Sequence, residues 1–320
     1  MPESEGLSVD PEDVPNPRLI DENGQSYSQS IRSSVIDYVY TNGRRYHAFR
    51  AGNWIVPNDE IEQNRMDLLH HIWKSSLGGE CLKFGGCVDR IDRVLDVGTG
   101  TGLWAIEMAD AFPSATVIGI DLSPIQPGWT PPNCYFFVDD AEQVPWEFEQ
   151  KFDIIHIRSM EAAFGNWSKV YEQVFENLHP GGIVENQSQE SWIHSLDRDT
   201  PDAVMEWQSL LVGASRSFGR DMHMSKEHKR LMQEAGFQDI EEVVYKIPIG
   251  PWAKSDKQLS EVCLGVMLEG VESYSLQLLT RELGMSLEDT QRIIRDCQAE
   301  MMDLSNHLYV VHRVTKGKKP

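Results

Sequence analysis

The sequence predicts an α/β protein: a doubly wound sheet of mostly parallel strands, with helical additions at the N-terminal and C-terminal ends. Three observations carry this reading. The middle third alternates short apolar runs with helix-patterned segments. A glycine-rich turn follows the first of those runs. The last third turns to long helical patterns before a final apolar run. Strand, helix, strand in that rhythm means parallel strands covered by helices on both faces.

Residues 93–97, 116–120, 135–138, 152–157 and 183 onward are apolar runs between turn formers, and read as strands. Residues 103–112 and 169–178 read as helices, the second closed by His179-Pro180-Gly181-Gly182. Upstream, Pro57-Asn58-Asp59-Glu60 starts a helix with Asn58 as N-cap. Its apolar face is Ile61, Met66, Leu68, Leu69, Ile72 and Trp73, and it ends at Gly78-Gly79. Downstream, 201–218, 226–235, 259–283 and 287–304 read as helices, and 239–247 and 307–314 as strands. Residues 1–30 hold Pro2, Pro11, Pro15 and Pro17 among acidic and polar residues, which predicts a disordered acidic leader.

Composition narrows the function classes. With 320 residues and 40% hydrophobic content, the chain can bury a sizeable core. It lacks a run of about 18 apolar residues, so no membrane span is expected. Its acidic start lacks an apolar h-region, which argues against a secretory signal. Acidic residues outnumber basic ones 50 to 29, a net charge of −21 that repels phosphate backbones and anionic lipid. No nucleic-acid partner is expected, and Lys316, Lys318 and Lys319 read as a solvated, frayed tail. Five scattered cysteines without zinc-type pairing point to free thiols in a reducing compartment. His70 and His71 would diverge by about 100° on a helix, so no metal site is expected there.

The sharpest motif is Val94-Leu95-Asp96-Val97-Gly98-Thr99-Gly100-Thr101-Gly102, between a strand and a helix. Its glycines allow a tight turn and close ligand approach. The dinucleotide pattern G-x-G-x-x-G would need glycine at position 103, which is Leu103. The Asp96 carboxylate would repel a pyrophosphate and suits an amino group, as in the aminoacyl part of S-adenosylmethionine. Asp121, in Ile120-Asp121-Leu122-Ser123, ends the second strand about 20 residues on, where a carboxylate accepts from ribose hydroxyls. Asp140 with Ala141, after the third strand, suits an adenine edge, and Asp139 is the open alternative.

Together with the Phe152-Asp153-Ile154-Ile155-His156 strand and the turn at 178–182, these residues resemble class I S-adenosylmethionine-dependent methyltransferases. More narrowly, the chain resembles the LaeA-like fungal methyltransferases. That match rests on Asn42-Gly43-Arg44-Arg45-Tyr46-His47-Ala48-Phe49-Arg50, Pro57-Asn58-Asp59-Glu60, Asp67-Leu68-Leu69-His70-His71, residues 121–127 and Ile247-Pro248-Ile249-Gly250-Pro251-Trp252.

The resemblance implies a Rossmann-like methyltransferase fold of seven strands, the 307–314 strand antiparallel beside 239–247. It implies an N-terminal helical lid (31–87), an S-adenosylmethionine-binding core (88–195), and a remainder (196–320) carrying a helical cap and the final strands. Its cofactor set is Asp96, Gly98, Thr99, Gly100, Gly102, Asp121, Leu122, Asp140, Ala141 and Arg158. The acceptor it implies is a fungal secondary metabolite or a protein regulating secondary metabolism or development. A velvet-type regulatory partner is the other role it implies, in the cytoplasm or the nucleus.

Catalytic candidates are Tyr46 and His47 in the aromatic–basic lid, each with the alternative of plain packing, and His156, which reads first as a buried hydrogen-bonded residue. Glu185 and Glu190, after the fifth strand, are candidate bases that otherwise read as exposed loop carboxylates. Met205, Met222, Met224, Met232 and Met267 either line an adaptable pocket or pack the core.

Overall fold

The computed structural model describes residues 38–320, apart from 51, 53, 89 and 255; the expected leader at 1–30 lies outside these. The chain opens with a hairpin of β1 (Val39–Thr41) and β2 (Arg44–Tyr46). Asn42 and Gly43 join them, both at positive φ, as a two-residue hairpin turn requires. Then comes helix α1 (Glu60–Ser76). The N-cap is Asp59, not the expected Asn58: the Asp59 carboxylate accepts the Glu62 N–H at 3.1 Å. Glu60 and Glu62 in the first turn and Lys74 in the last suit the helix dipole. Ile72 and Trp73 are buried as expected, whereas Ile61 and Leu68 face solvent at 54% and 42% exposure. Within the described residues of the expected helical lid, 31–87, the chain forms a hairpin, one α-helix and a short 3-10 turn at Gly85–Cys87.

The core follows as β3 (Arg93–Val97), α2 (Leu103–Ala111), β4 (Thr116–Asp121), β5 (Cys134–Val138), β6 (Phe152–Arg158), α3 (Trp167–Asn177) and β7 (Leu178–Gln189). Helix α3 starts at Trp167 because Asn166 caps it, its side chain accepting the Lys169 N–H at 3.1 Å. Its buried stripe of Trp167, Val170, Tyr171 and Val174 has helical spacing. After β8 (His194–Ser195) come α4 (Asp202–Ser217), α5 (His228–Glu234), β9 (Gln238–Pro248), α6 (Lys257–Glu282), α7 (Leu287–Met302) and β10 (Leu308–Lys318).

The sheet order is β5-β4-β3-β6-β7-β10, with β8 and β9 both paired to β10. Strands β3 to β7 pair in parallel, and β10 runs antiparallel to β7 and β9. Tyr309 pairs with both His194 and Pro248, so β8 and β9 lie on opposite sides of β10, and β8 prolongs the line of β7. The sheet therefore has eight strands where seven were expected, the extra one being this two-residue continuation.

Helices α1 and α2 cover one face through Trp73, Trp104 and Met108. Helices α3 and α5 cover the other through Tyr171, Val174 and Leu231. Helices α4, α6 and α7 form a separate cap around Leu211, Val271, Leu279 and Ile293. By length and composition α6 could cross a membrane, but its apolar side chains pack within this cap. The C-terminal lysines are not a frayed tail. Lys316 is 2% exposed and donates to Glu241 at 2.6 Å, and Lys319 donates to the Phe175 and Leu178 carbonyls.

Glu185 sits in the middle of β7 with no exposure and accepts the Lys83 and Phe84 N–H groups at 3.0 and 2.9 Å. It pins the segment after α1 to the sheet, and is not the loop carboxylate expected. Replacing it with alanine leaves those two donors without their acceptor. Glu185→Ala should cost about 3 kcal/mol in chemical denaturation; a midpoint unchanged from wild type would contradict this role.

Candidate functional site

The parallel strands end at a crevice whose floor is the glycine loop between β3 and α2. The Gly98 and Thr99 N–H groups donate to the Ile120 carbonyl at 2.9 and 3.0 Å. The Gly100 N–H donates to the Asp121 carboxylate at 2.9 Å, and the Ser123 N–H donates to its other oxygen at 2.8 Å. Gln126 donates to the Gly100 carbonyl at 2.7 Å from the far side. Gly98 and Gly100 adopt φ of 72° and 56°. A Cβ on Gly98 would collide with Met160, and one on Gly100 would lie 3.3 Å from Met66 Sδ. Burial pushes the Asp121 carboxyl up to about 6, against the pull of its backbone donors.

Of the sequence-predicted cofactor residues, the structure brings Gly98, Thr99, Gly100, Asp121, Leu122, Asp140, Ala141 and Arg158 together around this crevice. Asp139 lines it too, so both aspartates after β5 face the same space. Arg50 Nε approaches Asp140 at 3.7 Å. The opposite wall is Asn58 and the α1 residues Arg65, Met66 and His70. The hairpin stays outside the lining, its Arg44 tied to Asp59 at 2.6 Å and Glu272 at 3.1 Å.

Arg158 ends β6 and lines the crevice, part-buried, and burial works against its charge. It makes no ion pair among the described residues; one Nη2–H donates to His70 Nδ1 at 3.0 Å. His70 therefore presents the Nδ1 lone pair and carries its proton on Nε2, which lies 3.2 Å off-axis from Glu107. Burial, then the neighbouring Arg158, lowers the His70 pKa to about 4, so at neutral pH it is the uncharged acceptor this contact needs.

Five predicted residues lie outside the lining. Asp96 is 3% exposed, and its carboxylate accepts from Thr99 Oγ1 at 2.6 Å and contacts His156 Nδ1 at 2.7 Å. It stiffens the loop from beneath, and a ligand amino group does not meet it in this arrangement. Gly102 caps α2 at φ 83°, and a Cβ there would come within 2.5 Å of the Phe136 ring; packing, not ligand approach, requires this glycine. His156 is buried and stacks on Trp104 with ring centroids 3.7 Å apart. Tyr46 is buried with its hydroxyl unpaired among the described residues, and burial raises it to about 12. His47 contacts the Arg50 carbonyl at 3.3 Å, and burial lowers its pKa.

A second cavity adjoins the crevice and shares Trp54, Arg65, Leu69, Ser159 and Tyr274 with it. Its walls are largely apolar, and Met222 and Met267 are the two predicted methionines that line it. Two carboxylates enter. Glu190, 5% exposed, is paired with Arg313 at 2.6 Å, Lys226 at 3.2 Å and His194 at 3.3 Å. Glu161 has no such partner among the described residues. It accepts the Gln189 N–H at 2.6 Å, and burial raises its pKa to about 7. Sequence reasoning missed Glu161, His70 and Arg65. Glu161 and Arg65 belong to no motif, and His70 entered only as part of the 67–71 segment; the approach of α1 to the end of β6 is what sets them beside these spaces.

Residues 60–242 match the methyltransferase domain family. A methyltransferase named pytC from Aspergillus terreus is 38% identical over 91% of this chain and 91% of its own length. The secondary metabolism regulator laeA of Monascus pilosus is 32% identical over 87% of this chain and 77% of its own. The protein-methionine methyltransferase laeA of Emericella nidulans is 31% identical over 87% and 76%. With identities of this size across nine-tenths of its length, this chain belongs to the methyltransferase domain family and groups with the LaeA-like fungal methyltransferases.

Proposed function

We propose that the crevice binds S-adenosylmethionine and that the adjoining cavity holds a small, largely apolar methyl acceptor. The observation that carries this reading is the Arg158 cation, without an ion pair among the described residues, in a crevice that also presents the Asp121 carboxylate. A ligand that suits both has an anionic end and a hydroxylated ribose. The methionyl carboxylate would lie against Arg158, the ribose hydroxyls would donate to Asp121, and the adenine edge would meet Asp139, Asp140 and Ala141. When bound, the sulfonium supplies a methyl group already activated toward nucleophiles.

The chain itself supplies position and dryness. Trp54, Leu69 and Tyr274 stand between the two spaces and exclude water from their junction. Holding two reactants in line can be worth effective molarities of about 10⁵–10⁸ M. The largely apolar walls of the second cavity support a small-molecule acceptor. A protein acceptor, or a regulatory role with a velvet-type partner, is the second reading, favoured by the laeA relatives. Radiolabelled cofactor incubated with fungal extract separates the two: label should enter the organic fraction, and label confined to protein would favour the second.

Calorimetry with S-adenosylmethionine against NAD tests the crevice, and binding of NAD alone would overturn the reading. Asp121→Ala should weaken S-adenosylmethionine binding about tenfold or more, since each charge-assisted bond contributes about 1.5–3 kcal/mol. In the wild type the same affinity should fall as pH drops through about 6, where the Asp121 carboxyl takes up its proton and loses acceptor capacity. A flat profile from pH 8 to 5 would contradict that. Arg158→Gln should weaken S-adenosylmethionine about tenfold or more and leave 5′-methylthioadenosine, which lacks the amino-acid end, unaffected. Equal losses for both ligands would move the carboxylate elsewhere.

A further inference from the structure

Among the described residues, no cation neutralises one carboxylate of the second cavity, Glu161. Glu190, on the same wall, is surrounded by Arg313, Lys226 and His194. Arg65 is already held by Glu62 at 2.6 Å, in hydrogen-bond contact with Tyr274 as well. These are the charged and titratable groups that α1, α6, β10 and the segments around β7 bring to this space. Glu161, 9% exposed, lines the cavity and is its one carboxylate without a cation among the described residues. It lies three positions beyond Arg158, so the turn after β6 places the acceptor side and the crevice side at neighbouring points of one backbone segment. Burial in a cavity that Trp207, Leu211 and Val266 also line pushes its carboxyl up to about 7, where proton exchange with a ligand is most effective.

We propose that Glu161 receives the acceptor's proton, and that the acceptor is therefore protic: a phenol or other hydroxyl on an apolar frame. The inference rests on the two-space reading above and names its substrate class. The acceptor O–H bond breaks, its proton passes to a Glu161 carboxylate oxygen, and its electron pair stays on the acceptor oxygen. That oxygen forms the new bond to the methyl carbon, while the C–S bond breaks with its pair left on sulfur. The proton on Glu161 then leaves to water. A thioether acceptor carries no proton to lose, so it would gain nothing from this carboxylate.

The test uses the full chain, Glu161→Gln and Glu161→Asp. Infrared difference titration should show a carboxyl ionising near pH 7 in the wild type and missing in the Gln variant. This readout needs no cofactor, so it stands apart from the fate of the crevice assignment. With 2-naphthol and radiolabelled S-adenosylmethionine, the wild-type kcat/KM should rise with pH through about 7. The Gln variant should lose about 100-fold or more and the limb itself, at unchanged cofactor affinity, and the Asp variant should keep the limb. A Glu161 carboxyl titrating in the ordinary carboxylate range would overturn the proposal. So would a Gln variant with the wild-type rate and limb, or failure of the wild type to methylate 2-naphthol while methylating a methionine thioether.

Discussion

One carbonyl oxygen organises the crevice. Ile120, the penultimate residue of β4, accepts the N–H groups of both Gly98 and Thr99, and the next residue, Asp121, accepts that of Gly100. These bonds fold the glycine loop back over the end of the neighbouring strand. They also fix where α2 begins and turn Asp121 toward the open space. A glycine-rich turn is entropically costly to order, and here the ordering comes from the parallel register that sets Val97 beside Ile120. The walls contributed by α1 and α6 only complete a floor already set by two strands.

The strand-and-helix rhythm of the core was legible because each run has a single period. Strand β3 falls at the residues that its apolar run marked, and α2, β4, β5 and β6 agree to within a residue at either end. The hairpin of β1 and β2 was not legible: its three-residue strands are too short to show a period, and they are held by Arg44 reaching Asp59 and, far along the sequence, Glu272. The buried state of Lys316 was hidden for the same reason. A lysine near a chain end reads as solvated until Glu241 is brought beside it.

The site divides along a similar line. Residues whose role comes from backbone position, such as Gly98, Gly100 and Asp121, stand where spacing put them. Side-chain direction was less legible. Asp96 and His156 sit on neighbouring strands in register, and their side chains meet each other instead of the crevice. Arg158, two positions beyond His156, reaches the open end of the sheet and faces the ligand space. Burying a cation without an anion is costly, and Arg158 is part-buried with no ion pair among the described residues.

The placement of β10 bears on how the chain can be built. Gln189 on β7 faces His312 on β10 across 123 positions of sequence, and among the described residues β9 pairs with β10 alone. During synthesis on the ribosome, the inner strands and their glycine turn emerge and can assemble early. The outer third of the sheet stays unpaired until residues 308–318 have cleared the exit tunnel. Until then the exposed border of β7 is open to mispairing with other nascent chains, and insertion of β10 closes it.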